Sequence, residues 1–349
     1  MALSPILPAH EAKRFVGTGT VSRRSLVVAG VATVMAASTS TPILGQTSKW
    51  RAVRTPDERF LGLPGYPYPP NYVADLQGYE GLRAHYLDLG PRNATNTFLC
   101  LHGEPTWSYL YRKMIPVMLG SGARVVAPDF FGLGRSDKPI LLSDYSFDFH
   151  RNFLLALIKR LDLRNVTLVV QDWGGMIGLT LPADADFRPR IARLIVMNTV
   201  IPVGEPLDAS FYEWRTRVRT TPDFPVGPYL SSQVPQLSAA EGAAYDAPFP
   251  DVTYKGAVRT FPDLVMVEPG MNGITTARSA IRFWSNDWSG PTFMAIGELD
   301  TNLGLKSMVP LSQTIRGCPA PMLLKEAGHF VQEWGDQVAV AALKSFHDL

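Results

Sequence analysis

The sequence predicts an α/β fold: a mostly parallel central sheet flanked by helices, with a helical segment inserted between its two halves. Three observations predict it. From residue 50 to about 200, short apolar runs alternate with helical patterns. Near Pro202 this rhythm stops, and the chain to about Thr275 is rich in Pro, Ala and aromatic residues without a good strand pattern. Strand patterns then resume at Thr292. Strand–helix–strand alternation argues for a parallel sheet with helices on both faces.

The expected strands are His85–Leu89, Thr97–Leu101, Arg124–Ala127, Asn165–Val170, Leu194–Met197, Thr292–Ile296 and Met322–Leu324. Several are continuous apolar runs, as strands covered on both faces should be. Phe147, His150, Phe153, Leu154, Leu157, Ile158 and Leu161 recur at helical spacing and predict one amphipathic helix. Within the insertion, helical patches are expected at Ala209–Arg219 and Ala239–Ala244. Ligands bind at the carboxyl ends of such strands, so an insertion leaving a strand end can roof the site. The expected organisation is a leader over 1–49, core over 50–200, a helical cap over 201–276 and core again over 277–349.

The leader carries Lys13, Arg14 and the pair Arg23-Arg24, then the apolar stretch Leu26 to Ala37 and small residues. That order matches an export signal of the twin-arginine type and predicts a periplasmic protein. The apolar run is short for a membrane span, which needs about 20 residues. Its cleavage is expected between Ser38 and Gln46.

The 349 residues are 46% hydrophobic and 18% charged, with 33 basic and 31 acidic residues for a net charge of +2. No long basic run marks a nucleic-acid partner. Cys100 and Cys318 form neither a CxxC nor a metal-ligand pattern. No cofactor or metal is expected, and the chain is expected to be a monomer.

The strongest chemical signal is Leu168-Val-Val-Gln-Asp172-Trp-Gly-Gly175. An apolar strand ends, one polar side chain follows, and glycines open the next helix. A sharp strand-to-helix turn of this kind exposes a nucleophile. Asp is also a preferred helix N-cap, and taken alone the two readings have equal weight. Context favours the nucleophile. His102-Gly-Glu104-Pro105 follows an earlier strand, Asp300 follows the strand at Thr292, and His329 in Ala327-Gly-His-Phe330 follows the last strand. The order nucleophile, acid, histidine, each past a strand end, is that of the α/β-hydrolase fold. In that fold the backbone N–H groups of Glu104 and Trp173 would form the oxyanion hole. Of the other histidines, His10 lies in the leader, His347 near the C-terminus, His85 and His150 read as structural, and His102 belongs to the oxyanion loop.

From about Arg54 onward the chain resembles the haloalkane dehalogenases, in the subgroup whose triad acid follows the later strand. The matching stretches are His102-Gly-Glu-Pro-Thr-Trp-Ser-Tyr-Leu-Tyr-Arg-Lys113, Ala127-Pro-Asp-Phe-Phe-Gly-Leu-Gly-Arg-Ser-Asp-Lys-Pro139, Val169-Val-Gln-Asp-Trp-Gly-Gly175, Phe293-Met-Ala-Ile-Gly297 and Ala327-Gly-His-Phe-Val-Gln-Glu333. The resemblance implies hydrolysis of small apolar halogenated substrates to alcohol and halide. Asp172 would form an alkyl ester, which water activated by His329 and Asp300 would hydrolyse. Trp173 and the cap residue Trp214 would bind halide through their indole N–H groups, which offer no competing acceptor. Phe211, Phe261, Pro262 and Met176 would line the pocket, with Met176 and Asn302 standing where close relatives carry bulkier or more apolar groups.

Three other readings compete. An epoxide hydrolase would need two cap tyrosines, and Tyr212, Tyr229, Tyr245 and Tyr254 are available. Gln171 stands where those enzymes commonly have histidine. A haloacid dehalogenase would need a cationic carboxylate binder where Trp173 stands. A binding protein without catalysis would be expected to lack one of Asp172, Asp300 and His329.

Overall fold

The apolar runs pair into one eight-stranded sheet. In the computed structural model, which describes residues 49–349, its strands are β1 (Asn71–Val73), β2 (Ala84–Leu89), β3 (Thr97–Leu101), β4 (Arg124–Pro128), β5 (Val166–Val170), β6 (Ile191–Met197), β7 (Thr292–Gly297) and β8 (Met322–Leu324). The expected leader falls on 1–49 and, apart from Lys49, lies outside the described residues. The spatial order is β8-β7-β6-β5-β3-β4-β2-β1. β2 pairs antiparallel with β1 and β4, and all other pairs are parallel. A second, two-stranded ladder joins Ala52–Val53 to Lys138–Pro139.

Every residue of β3, β4, β5 and β7 is buried, which is why these strands read as unbroken apolar runs. β1 went unread because it is a three-residue edge strand with no such run. β6 starts three residues before its expected position, since Arg193 interrupts the apolar run; that guanidinium turns aside to Asp348. Cys100 and Cys318 are both free.

Helices α1 (Ile115–Gly120), α2 (Phe147–Arg160), α3 (Asp172–Gly178), α9 (Leu305–Thr314) and α10 (Gly335–Ser345) belong to the strand-bearing halves. α2 buries the stripe expected of it except Leu161, which follows its last residue and is half-buried, and the Ser146 hydroxyl caps it by accepting from Phe149 N at 3.0 Å. Between β6 and β7 the chain forms α4 (Ala209–Thr220), α5 (Val226–Gln233), α6 (Ala239–Asp246), α7 (Gly256–Leu264) and α8 (Ile274–Arg282). α4 and α6 cover the two expected patches. α5 and α7 contain Pro228 and Pro262, and α8 starts after Gly273 at φ 98°. Proline and glycine read as breakers in a sequence, so these short helices left no clean periodicity. Among the described residues no helix is long and apolar enough to cross a membrane.

The parallel register places the site. Leu101 lies opposite Val170, Val170 opposite Val196, Met197 opposite Ala295, and Gly297 opposite Leu324. The ends of β3, β5, β6, β7 and β8 therefore reach one edge together. The segments that follow them carry Glu104, Asp172, Asn198, Asp300 and His329.

Candidate active site

β5 ends in extended backbone at Gln171, and Asp172 turns at φ 50° into α3. Few side chains other than glycine adopt that left-handed conformation without a surrounding structure that enforces it. Enforcement comes from β6: Asp172 N donates to Asn198 O at 2.9 Å, and the Thr199 hydroxyl donates to Asp172 O at 2.7 Å. Gly174 lies so close to β3 that a side chain there would strike the Leu101 carbonyl. At Gly103 a side chain would strike the carboxyl of Asp172 itself. That approach lets the Glu104 backbone N–H donate to Asp172 Oδ1 at 2.8 Å. Trp173 lies in the first turn of α3, where N–H groups have no helical partner.

His329 stands between two carboxylates. Its Nδ1 lies 2.7 Å from Asp300 Oδ2, and its Nε2 lies 3.4 Å from Asp172 Oδ2. Burial alone would lower the imidazole pKa, but Asp300 and Asp172 outweigh it and raise it to about 10. Burial alone would raise the Asp300 pKa. The His329 charge and hydrogen bonds from His329, Asn198 and Leu303 N bring it down to about 2. The Gln171 amide donates to the His329 carbonyl at 3.1 Å and lies 3.0 Å from Nε2.

Asn198 escaped sequence reasoning. Its Nδ2 donates to Asp300 Oδ2 at 2.9 Å and to Gly297 O at 3.1 Å, while its Oδ1 accepts from Gly297 N at 2.9 Å. The signal was available: Asn198-Thr199 is a polar pair directly past an apolar strand.

A cavity of about 120 Å³ opens onto Asp172 and His329. Trp173, Trp214, Met176, Phe211 and Pro262 line it. Phe261 does not; its ring meets Trp173 edge-on at 4.9 Å and supports it from behind. Trp214 stacks on Tyr229 at 4.9 Å and meets the Phe224 ring edge-on at 5.3 Å. Among the described residues nothing accepts a hydrogen bond from either indole N–H. Glu104 is also buried at the cavity. Burial, and then Asp172, push its carboxyl well above the usual carboxylate range.

The other histidines described lie off the cavity. His85 Nδ1 lies 2.7 Å from Asp129, and His102 accepts from Phe130 N at 3.1 Å. His150 is buried among aromatic rings, and burial lowers its pKa to about 3. Of the four tyrosines, Tyr229 lines the cavity, while the Tyr245 hydroxyl donates to Glu333 Oε1 at 2.5 Å. Among the described residues no three His, Cys, Asp or Glu side chains are grouped as metal ligands.

One buried ionic network lies behind the histidine. Arg112 forks onto Glu333 at 2.7 and 2.8 Å and reaches Glu241 of α6 at 2.8 Å. It ties the segment that follows His329 to both the segment that follows Glu104 and the inserted helices.

The alpha/beta hydrolase fold family matches residues 96–336. A haloalkane dehalogenase of Psychrobacter cryohalolentis is 41% identical over 307 residues, covering 85% of this chain and 99% of that one. Haloalkane dehalogenase 1 of Mycobacterium tuberculosis is 43% identical over 288 residues, 80% of this chain and 93% of that one. Among solved structures, haloalkane dehalogenase DpaA from Paraglaciecola agarilytica NO2, described as tetrameric, is 52% identical with a TM-score of 0.83, covering 85% of this chain and 99% of that one. Likeness of this degree, along nearly the whole of each relative and on the same fold, identifies the chain as a member of the haloalkane dehalogenase family of α/β hydrolases.

Proposed function

We propose that this chain hydrolyses short haloalkanes to alcohol and halide through an alkyl ester on Asp172. The observation that carries the reading is the position of the Asp172 carboxylate: it shares a small cavity with two unpartnered indole N–H groups and lies 3.4 Å from the imidazole of His329.

Asp172 Oδ1 is already engaged by the Glu104 N–H, so Oδ2 attacks carbon from the side opposite the halogen. The carbon–halogen bond breaks and the halide leaves with the bonding pair. Trp173 and Trp214 donate to it, each hydrogen bond to the anion contributing about 1.5–3 kcal/mol. The raised pKa of the Glu104 carboxyl disfavours a further negative charge beside the departing halide.

Ester formation removes the charge of Asp172. One of the two carboxylates that hold the proton on His329 is lost, the imidazole pKa falls, and that proton leaves to solvent. Neutral His329 then takes a proton from water as the water attacks the ester carbonyl. The N–H groups of Glu104 and Trp173 receive the tetrahedral oxyanion. Asp300 holds the imidazolium, whose proton passes to the departing alkoxide; the proton left on the Asp172 carboxyl then passes to His329, and Asp172 is restored as a carboxylate.

Epoxide opening finds weaker support, because Tyr245 is committed to Glu333 and Tyr229 stands in the cavity without a second tyrosine. The proposal includes a capping role for the helices between β6 and β7, with 201–276 as its bounds, and export through the 1–49 leader. The tetramer described for the Paraglaciecola relative favours self-association over the expected monomer, a question that light scattering decides.

The test is halide release from 1,2-dibromoethane and 1-bromobutane by the wild type and by Asp172→Asn. Release by the wild type alone supports the reading. Folded wild type that released none, but opened styrene oxide to its diol, would overturn it.

A further inference from the structure

Asn302 and Tyr229 bring into the catalytic cavity polar groups that dehalogenation does not use. The Asn302 backbone is fixed on both sides. Its N–H donates to Asp300 Oδ1 at 2.9 Å, and its carbonyl accepts from the Ser307 hydroxyl at 3.0 Å. The carboxylate that orients His329 therefore also places this side chain. Yet Asn302 Oδ1 is buried without a hydrogen-bond partner, and its Nδ2 has none among the described residues. Buried polar atoms are rarely left unpaired, and one beside a cavity points to a ligand group.

Tyr229 tells the same story from the inserted helices. Its ring is held by Trp214 at 4.9 Å, Phe224 at 5.3 Å and Phe330 at 6.2 Å. Its hydroxyl has no partner among the described residues. Burial, and then the carboxyl groups of Glu104, Asp172 and Asp300, raise the phenol pKa far above its ordinary value. It is a fixed donor at any working pH.

The cavity thus has two characters: Met176, Phe211, Pro262 and Val265 are apolar, while Asn302 and Tyr229 offer donors and an acceptor. We propose that the cavity selects haloalkanes bearing a second, neutral hydrogen-bonding group, above all a hydroxyl, which Asn302 and Tyr229 bind while the halogen rests on Trp173 and Trp214. The second group is neutral because a carboxylate would meet Asp172 and Asp300, and among the described residues no Lys or Arg lines the cavity to offset them. The inference rests on the dehalogenase reading and names its substrate class.

The test compares kcat/KM for bromide release from 3-bromo-1-propanol and 1-bromobutane, which differ by a hydroxyl in place of a methyl. The ratio is measured in the wild type, Asn302→Leu and Tyr229→Phe. A ratio cancels any general loss of activity, and Tyr229→Phe keeps the ring on Trp214. The expected result is a hydroxyl-to-methyl ratio that falls about tenfold in Asn302→Leu and severalfold in Tyr229→Phe, as loss of hydrogen bonds to substrate predicts. Bromobutane turnover with the same ratio in all three proteins would overturn this inference and leave the dehalogenase reading intact. Release of bromide from neither substrate by the wild type would overturn both.

Discussion

His329 Nε2 lies 3.4 Å from Asp172 Oδ2, so in the proposed mechanism the base of the second step stands beside the nucleophile of the first. On that proposal the imidazole keeps its proton while Asp172 is charged and releases it once Asp172 becomes an ester. One electrostatic contact would thereby order the two proposed steps.

A pH dependence follows for the reaction. The first halide released per site should be insensitive to protonation of His329. Steady-state turnover should fall as pH drops through the pKa of His329 in the ester, which lies below the value of about 10 in the free protein. Rapid-quench measurement of burst and steady state across pH 6 to 9 checks this. Parallel decline of both phases would contradict it.

Stability has its own pH signature. The pKa of His329 is raised in the folded protein, so its contribution is complete below the unfolded value of ~6.5 and is lost as pH rises through about 10. Asp300 has the opposite sign, contributing fully above its ordinary value of 3.8 and losing that contribution as pH falls toward about 2. The difference in melting temperature between the wild type and His329→Gln should therefore narrow from pH 6.5 to 10. A constant difference would show that the two carboxylates do not hold the imidazole charge.

Trp214→Phe keeps the stack on Tyr229 but removes one halide donor. Loss of about 1.5–3 kcal/mol corresponds to roughly 10- to 150-fold weaker halide binding and lower kcat/KM. Bromide titration followed by the fluorescence of the remaining tryptophans measures it. Unchanged bromide affinity would return Trp214 to a packing role.

Arg112→Met takes the forked guanidinium from buried Glu333 and leaves it only Lys113, whose Nζ lies 3.0 Å from Oε2, at a cost of up to about 3–5 kcal/mol. Thermal unfolding should shift down, and kcat should fall, because Glu333 follows His329 by one short turn. A second change, Glu333→Leu, removes the stranded charge and should restore much of the stability without restoring kcat. Recovery of both would make the network purely structural.

Much of this molecule could be read before folding, and the exceptions have physical causes. The bounds of β3 are legible because an uninterrupted buried apolar run has only one place in a doubly covered sheet, and those of β8, an edge strand with Leu323 exposed, because Pro321 and Lys325 flank its short apolar run. The positions of Asp172, Asp300 and His329 were legible because each is a polar group just past such a run. Asn198 has the same placement but no charge or nucleophile to draw attention to it. Phe261 and Pro262 are neighbours on α7, yet only Pro262 reaches the cavity; a sequence does not tell the two sides of a proline-bearing turn apart. The Arg112–Glu333–Glu241 network joins segments far apart in the chain, and charge alone does not pair them.

Trapping the ester tests most directly whether Asp172 attacks carbon. His329→Gln is mixed with excess 1-bromobutane, released bromide is counted, and the peptide carrying Asp172 is weighed by mass spectrometry. Nucleophilic attack by Asp172 predicts one bromide per site, then a stall, with a butyl group on that peptide. Continued turnover by the variant, or bromide released with no added mass on Asp172, would contradict it.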